Sequence, residues 1–491
     1  MALPSLAKYF GLLIIAGCLG SVALVVFWNY GGQSHILVED TSVHSSLTRF
    51  HPKLLNGEKS PQLGDKLKEI AVNNTKALVW DKGSFCDEFL HKTFQQPVPV
   101  CVNNGTKSSV NCYGSQYSKK MVQCSIDNAL VKPQLLYSAM TTQKIIGSNA
   151  ITILNASKSH SHPSACNKAS MDGLSQTTEQ RDHVKLMIED AVMHSSVSRK
   201  PEDCHSWINE TTFLFRGIDA HIYFEFLSWY NLFKSIVDEG SPTSLQIIRM
   251  PVNTFKCRFA EFEQRLFPNV TVLQNMSDKP VCFRRLVLVP SCYASLFFKC
   301  KGESDLLSPC LNCHGRGRSE TEFQTFRSHV LKVCSIDDSQ PISSYRSPKN
   351  IIVILRKPYK RTPKDDPSRF ERVLSNGDEM VSQIKAKFHA VNVTVIYPED
   401  LTLCQQIAVA QGTDILIGVH GAGLLHSWWL RDNALLFELV PTEQLSNPTF
   451  KMLCALTGRN YIDYHIPSGS PLTINVDDVI NILTKVQING I

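Results

Sequence analysis

Asp414-Ile-Leu-Ile-Gly-Val-His-Gly-Ala-Gly-Leu424 is the stretch from which the rest of this chain is read. Ile415 to Val419 is an apolar run of strand length. It breaks into His420-Gly421-Ala422-Gly423, where two glycines let the backbone turn sharply and approach a ligand closely. Leu424 to Leu430 then reads as a helix. Strand, glycine turn and helix N-terminus direct backbone N–H groups and the positive dipole end at one spot, which suits a phosphate. His420 is expected to face that spot. The plain alternative is a buried glycine turn with a satisfied core histidine.

The surrounding order favours a ligand site. Ile351 to Leu355 is a continuous apolar strand ending in Arg356. Asp378 to Phe388 carries Met380, Ile384 and Phe388 at helical spacing, Val393 to Tyr397 is a strand, and Leu401 to Gln411 is a second amphipathic helix. After the glycine turn come the strand Leu435 to Val440, a helix Phe450 to Leu456 stopped by Gly458, the strand Tyr461 to Ile466 and a helix Val476 to Val486. Alternating strands and helices predict a parallel sheet covered on both faces, with its ligand at the carboxyl ends of the strands. Arg356 and His420 sit at such ends. So does Glu438, a carboxylate suited to ribose hydroxyls or, more plainly, one that closes a strand.

The chain has 491 residues, 43% of them hydrophobic and 19% charged, enough for two or three globular domains. A net charge of +6 over this length is too small and too scattered to point to nucleic acid. Residues 9–28 are uncharged and long enough to cross a bilayer as a helix, which predicts a membrane anchor with residues 1–8 as a cytoplasmic tail. The rival is a cleaved signal peptide. Both send the bulk of the chain into the secretory pathway. Sequons at Asn73, Asn104, Asn155, Asn209, Asn269, Asn275 and Asn392 agree, whereas Pro448 disqualifies Asn447. Fifteen of the sixteen cysteines lie beyond the apolar run, most of them upstream of the predicted sheet, so disulfides should staple the first part of the chain. Cys404 and Cys454, on helices of the last domain, are expected to be reduced.

Residues 29–70 read as a polar stem, 71–340 as a disulfide-rich region and 341–491 as a Rossmann-like domain. Within the disulfide-rich region, a second α/β-like unit runs from Thr211 to Cys334. His160 and His162 lie in a Ser/His-rich loop. Cys310-Leu-Asn-Cys313-His314 has haem-attachment or half-zinc spacing, but Cys292 and Cys300 make disulfides the better reading. The basic string Arg356 to Arg361 lies where a diphosphate would arrive, with Arg372 helping.

From Thr211 to about Asp463 the chain resembles the family 61 glycosyltransferases, which build N-glycan core β-1,2-xylose in plants, decorate xylan, and add extracellular O-linked GlcNAc in animals. The resemblance is carried by Arg356, Arg372, Asn376, Glu379, Gln405-Gln406, the Asp414 to Leu424 stretch and Glu438. Lys279 to Arg284 and Tyr293 to Lys299 look closest to the plant-type N-glycan xylosyltransferases. It implies an α/β fold of GT-B type, two Rossmann-like domains behind the anchor and stem, with 71–340 as the acceptor-side region and 341–491 as the nucleotide-sugar-binding domain. It also implies a single-pass type II Golgi protein whose luminal part moves a sugar from a UDP donor, UDP-xylose first, to an N-glycan. Arg356, Arg372, His420, Gly421, Ala422, Gly423 and Glu438 would hold the nucleotide-sugar. No metal is expected, and the chain has no Asp-x-Asp. The family's His and Asp four residues apart correspond to His221 and Glu225, one the candidate general base and the other its orienter, on one helical face. A GlcNAc transferase of the same family and a non-catalytic glycan-binding subunit are the alternatives.

Overall fold

The computed structural model describes residues 10–16, 22–30, 33–40, 97–102, 109–113, 123–154, 183–193, 201–217, 221–250, 259–292, 318–337, 348–357, 372–432, 434–469 and 471–489. The cytoplasmic tail, most of the stem, the first three sequons, His160, His162, Cys310, Cys313 and Lys360 lie outside them.

Residues Met1–Lys59 form a unit of their own. In it β1 (Phe10–Ala16), β2 (Val22–Tyr30) and β3 (Gln33–Asp40) pair as an antiparallel meander. Where a helix was expected over residues 9–28, residues 10–16 and 22–28 are paired strands. Val, Ile, Phe and Trp suit a pleated strand as well as an apolar helix, and strand pairing satisfies the same backbone groups. Among the described residues no helix is long and apolar enough to cross a membrane.

The second unit, Ser60–Ile491, holds two sheets. The first contains β4 (Pro97–Val102), β5 (Ser109–Tyr113), β6 (Gln123–Val131), β7 (Ile151–Ile153), β8 (Ser206–Arg216), β9 (Leu245–Met250), β10 (Val270–Val272) and β11 (Val281–Leu288). Its order is β10-β9-β8-β11-β6-β5-β4, with β7 beside β6. The strands from β10 to β11 are parallel, and the remainder pair antiparallel. The unit expected from Thr211 onward is thus the parallel half of a larger sheet whose other half comes from upstream. One face is covered by α1 (Pro133–Thr142) and α2 (His183–Met193). The other is covered by α3 (Ile222–Asp238), α4 (Ala260–Leu266) and α5 (Arg318–Val333).

The second sheet follows the predicted order closely: β12 (Asn350–Ile354), α6 (Gly377–Lys387), β13 (Asn392–Ile396), α7 (Leu403–Gln411), β14 (Ile415–Val419), β15 (Leu435–Pro441), α8 (Thr449–Thr457), β16 (Asn460–Ile466) and α9 (Val476–Asn489). Local chemistry sets the boundaries. Thr402 and Gln405 make a reciprocal capping box that starts α7, and Gly458 at φ 71° ends α8 in the left-handed region. The strand order β13-β12-β14-β15-β16 is all parallel, so the direction of winding reverses between β12 and β14. In such sheets the crevice at that reversal is where ligands bind.

A single apolar core joins the sheets. Phe226, Trp229 and Leu232 of α3 and Phe326 of α5 belong to the same cluster as Ile354 of β12, Leu416 of β14, Leu453 of α8, and Trp428 and Trp429, which follow β14. Disulfides Cys112–Cys124 and Cys204–Cys282 staple the first sheet as expected. The expectation for Cys404 is overturned, because it is bonded to Cys334 and ties α7 to the end of α5. Sequence spacing did not reveal that a helix of the last domain abuts the end of α5. Cys454 is the buried thiol expected, and burial pushes its pKa up to about 12, which keeps it inert. The described sequons Asn209, Asn269, Asn275 and Asn392 are all exposed.

Cys334–Cys404 closes a span of 70 residues, so Cys404→Ser should lower unfolding stability by about 2–4 kcal/mol. Denaturant unfolding of the oxidised wild type and variant measures it, and equal midpoints would refute it.

Candidate functional site

The glycine turn lies at the carboxyl end of β14, at the crevice beside β12. Its strand is pinned at the other end by Asp414, which accepts from the N–H groups of Lys349 (2.7 Å) and Asn350 (2.9 Å) and from Arg431 (3.0 Å). Gly418 is needed for packing, since a Cβ there would lie 2.8 Å from Leu424. Gly421 has φ 157° and ψ 177°, a region open almost only to glycine. A Cβ on it would overlap the Arg356 guanidinium and approach that of Arg372 to 3.3 Å. Arg372 also donates to the His420 carbonyl (2.9 Å). The two arginines predicted from sequence therefore converge on the first glycine of the turn.

The helix expected after the turn is present as a 3₁₀ helix, Ala422–Trp429. Its first internal bond runs from Leu424 N–H to Gly421 C=O (2.9 Å), so the N–H groups of Ala422 and Gly423 precede its ladder. Both residues are half-buried at the cleft. Two guanidinium groups and these amides provide a compact cationic cradle for a phosphate.

His420 departs from its expected position. The ring is buried, with Nδ1 2.5 Å from Glu438 Oε1 and Nε2 3.1 Å from the Asn447 amide nitrogen. It does not face the phosphate cradle; it fixes the backbone that forms the cradle. Glu438 is likewise set behind the cleft, 1% exposed, its second oxygen accepting from Tyr461 OH (2.7 Å). A carboxylate with both oxygens so engaged positions His420 and is not offered to ribose. Tyr461 escaped the sequence reading because only its pairing on β16 beside β15 reveals it. Burial first, then the Glu438 charge, raises its phenol well above the ordinary range, so it remains a donor.

Gln405 and Gln406, part of the resemblance, prove to be scaffolding. Gln405 completes the capping box, and Gln406 donates to Pro398 C=O (2.7 Å) and Leu401 C=O (2.9 Å) while accepting from His426 (2.7 Å). His426 is fully buried in the 3₁₀ helix, and burial lowers its pKa to about 4. His183 of α2 is lowered to about 3, by burial first and then by Arg216.

On the other side, His221 caps α3 with extended backbone (φ −141°, ψ 107°), outside the helix proper. The expected stacking of His221 over Glu225 on one helical face fails for that reason. Glu225 is 0% exposed and paired with Arg249 (2.8 Å), which also pairs with Glu263. Glu263 in turn accepts from Trp229 Nε1 (2.8 Å). Glu225 thus belongs to a buried ion cluster and does not reach the cleft. His221 is half-buried, its ring 4.6 Å from that of Phe224. Consecutive ring contacts, His221–Tyr223 (6.5 Å), Tyr223–Phe450 (5.9 Å) and Phe450–His420 (5.1 Å), connect it to the glycine turn. His221 and His420 are thus linked through the buried rings of Tyr223 and Phe450.

Residues 221–437 match the family model Glycosyltransferase 61. An EGF domain-specific O-linked N-acetylglucosamine transferase of Drosophila melanogaster is 30% identical over 271 residues, 52% of this chain and 46% of that protein. A beta-1,2-xylosyltransferase of Oryza sativa subsp. japonica is 24% identical over 302 residues, 58% of this chain and 54% of that protein. One of Arabidopsis thaliana is 22% identical over 300 residues, 54% and 53% of the respective lengths. The chain thus spans about half the length of the curated relatives it matches.

Two outcomes are expected. Gly421→Ala should weaken binding of a diphosphate probe roughly tenfold or more, from about 1–3 kcal/mol of backbone strain plus displacement of Arg356. Gly423→Ala, whose Cβ meets nothing nearer than 3.4 Å, should bind within about twofold of wild type; calorimetric titration distinguishes the two. For pH, the unfolded chain takes up protons on His183 and His426 from about pH 6.5 downward while the fold resists until about 3 and about 4. Stability contributed by these sites is full above about pH 6.5 and falls as pH drops toward 4. Melting temperatures across that window should decline, and less steeply in His426→Gln.

Proposed function

We propose that this chain, which carries a Glycosyltransferase 61 domain over residues 221–437, is an inverting transferase that moves a sugar from a UDP donor to a glycan. The observation that carries this is the convergence of Arg356 and Arg372 on Gly421 at the winding reversal of the parallel sheet. A diphosphate in that cradle sits against the amides of Ala422 and Gly423. As the bond from the anomeric carbon to the phosphate oxygen breaks, the negative charge growing on the leaving UDP falls on two guanidiniums, so no metal is required. The acceptor hydroxyl attacks from the opposite face, forms the new glycosidic bond and gives its proton to His221, the candidate base. Glu225, buried with Arg249, holds the start of α3 in place.

The two sheets correspond in this proposal to a GT-B type pair, donor on the second and acceptor on the first. The leading substrates are UDP-xylose and the core mannose of an N-glycan, in keeping with the plant relatives. The fly relative, at higher identity, favours the second reading, GlcNAc transfer to protein. Exposed sequons and disulfides support a luminal, Golgi setting.

The test is transfer from a panel of UDP-sugars to N-glycan and protein acceptors in the presence of chelator. Chelator-resistant transfer from UDP-xylose, lowered about 10²- to 10⁴-fold in His221→Ala, is expected. Transfer only from UDP-GlcNAc would move the substrate assignment to the second reading. UDP binding without transfer to any acceptor would indicate a non-catalytic glycan-binding subunit.

A further inference from the structure

The chain enters an outermost strand of each large sheet with the same four residues. β10 is an end strand of the first sheet and β13 of the second, and among the described residues no strand lies beyond either. They are entered as Asn269-Val-Thr-Val272 and Asn392-Val-Thr-Val395. Both stretches are sequons, and Asn269 and Asn392 are exposed. We propose that these two asparagines carry N-linked glycans that cover the open edges of the two sheets. The assignment rests on the luminal setting proposed above. The donor for this modification is an oligosaccharide held on a polyprenyl diphosphate. A bond forms from the asparagine Nδ2 to the anomeric carbon, the bond from that carbon to the phosphate oxygen breaks with its electron pair leaving on the lipid diphosphate, and one amide proton is released.

An open strand edge offers a row of backbone N–H and C=O groups to another chain, and folds suppress such pairing with proline, charge or bulges. The opposite edges of these sheets use those devices. β4 contains Pro97 and Pro99 and shifts register against β5 between Pro99 and Cys101, and β16 exposes Asp463 and His465. β10 and β13 have neither a charged residue nor a proline, and their Val, Thr and Ile favour pairing. On β13, the Asn392 N–H donates to Lys349 C=O (2.8 Å) and the Ile396 C=O accepts from Leu355 N–H (3.1 Å). The alternation along a parallel ladder then turns the backbone groups of Val393 and Val395 away from β12, to the open side. A further strand would have to lie about 4.8 Å away, and a glycan rooted on Asn392 obstructs that approach. Asn392 Nδ2 donates to Asn350 Oδ1 at 3.4 Å, and a glycosylated amide keeps one hydrogen for this contact. Asn269 stands in the turn before β10 at φ 71°, a left-handed conformation that asparagine tolerates. Asn275, in the 3₁₀ turn Leu273–Asn275 directly after β10, places another exposed sequon at the same edge.

Peptide mass spectrometry of the full chain, expressed in a eukaryotic host, should find glycan on Asn269 and Asn392 in most molecules. Empty sites at both, with glycan on other sequons, overturn the proposal and leave the luminal setting standing. A chain without glycan at any sequon overturns both. The covering role is read by sedimentation of two double variants that lose the same glycans. Asn269→Gly with Asn392→Gln leaves the edges bare, glycine fitting the positive φ, and should shift the protein to larger, concentration-dependent species. Asn269→Asp with Asn392→Lys puts a charge at each edge instead and should sediment as the wild-type species does. A difference between these variants reports on the edges, because the loss of sugar is common to both. Identical sedimentation of the bare and charged variants overturns the covering role. If the bare double variant does not fold, the single substitutions at Asn269 and at Asn392 are compared in the same bare and charged pairs, and the same outcomes decide.

Discussion

A buried bond between His420 and Glu438 holds together the ends of the two central strands of the second sheet. An unpaired carboxylate in that position would be costly, and the cost is avoided because His420 takes one oxygen and Tyr461 the other. With the ring anchored, its backbone carbonyl is presented to Arg372 and the chain must leave β14 in the extended, positive-φ conformation that Gly421 alone tolerates well. The absence of a side chain there is what lets the Arg356 guanidinium lie against the backbone. The geometry around Gly421 thus depends on a buried hydrogen bond set behind it.

The second organising feature is the shared core. α3 packs its apolar face against both the first sheet and the Trp428–Trp429 pair of the 3₁₀ helix, whose rings stack with centroids 5.5 Å apart. The Cys334–Cys404 bond reinforces the same junction from another side. Residues of the glycine turn and of the α3 cap are therefore held in one frame by packing. Tyr223 and Phe450 form the contact through which that frame passes between His221 and His420. In the transferase proposed above, such rigidity would keep reacting groups in register and reduce the ordering each binding event must supply.

Periodicity made most of the second sheet legible. Apolar runs of strand length alternate with helices that begin at Thr402 and stop at Gly458, and such signals are local, so boundaries fall within a residue or two of the predicted ones. The first sheet was half visible, because its antiparallel strands β4 to β7 come from segments with weak alternation and are ordered by pairing with β11. Helix against strand over residues 9–28 is a choice that apolar composition alone leaves open.

At the candidate site the sequence by itself determined the residue set: Arg356, Arg372, His420, Gly421, Ala422, Gly423 and Glu438 follow from glycines, charges and strand ends read along the chain. Tertiary structure alone decided their roles. It turned His420 and Glu438 inward, paired Glu225 with Arg249, bonded Cys404 to Cys334, and brought Tyr461 and Asn447 to the far sides of the same hydrogen-bonded chain. The reason is physical. Which side of a strand end faces solvent, and which groups satisfy a buried polar atom, depend on neighbours distant in sequence, and a linear pattern carries no information about them.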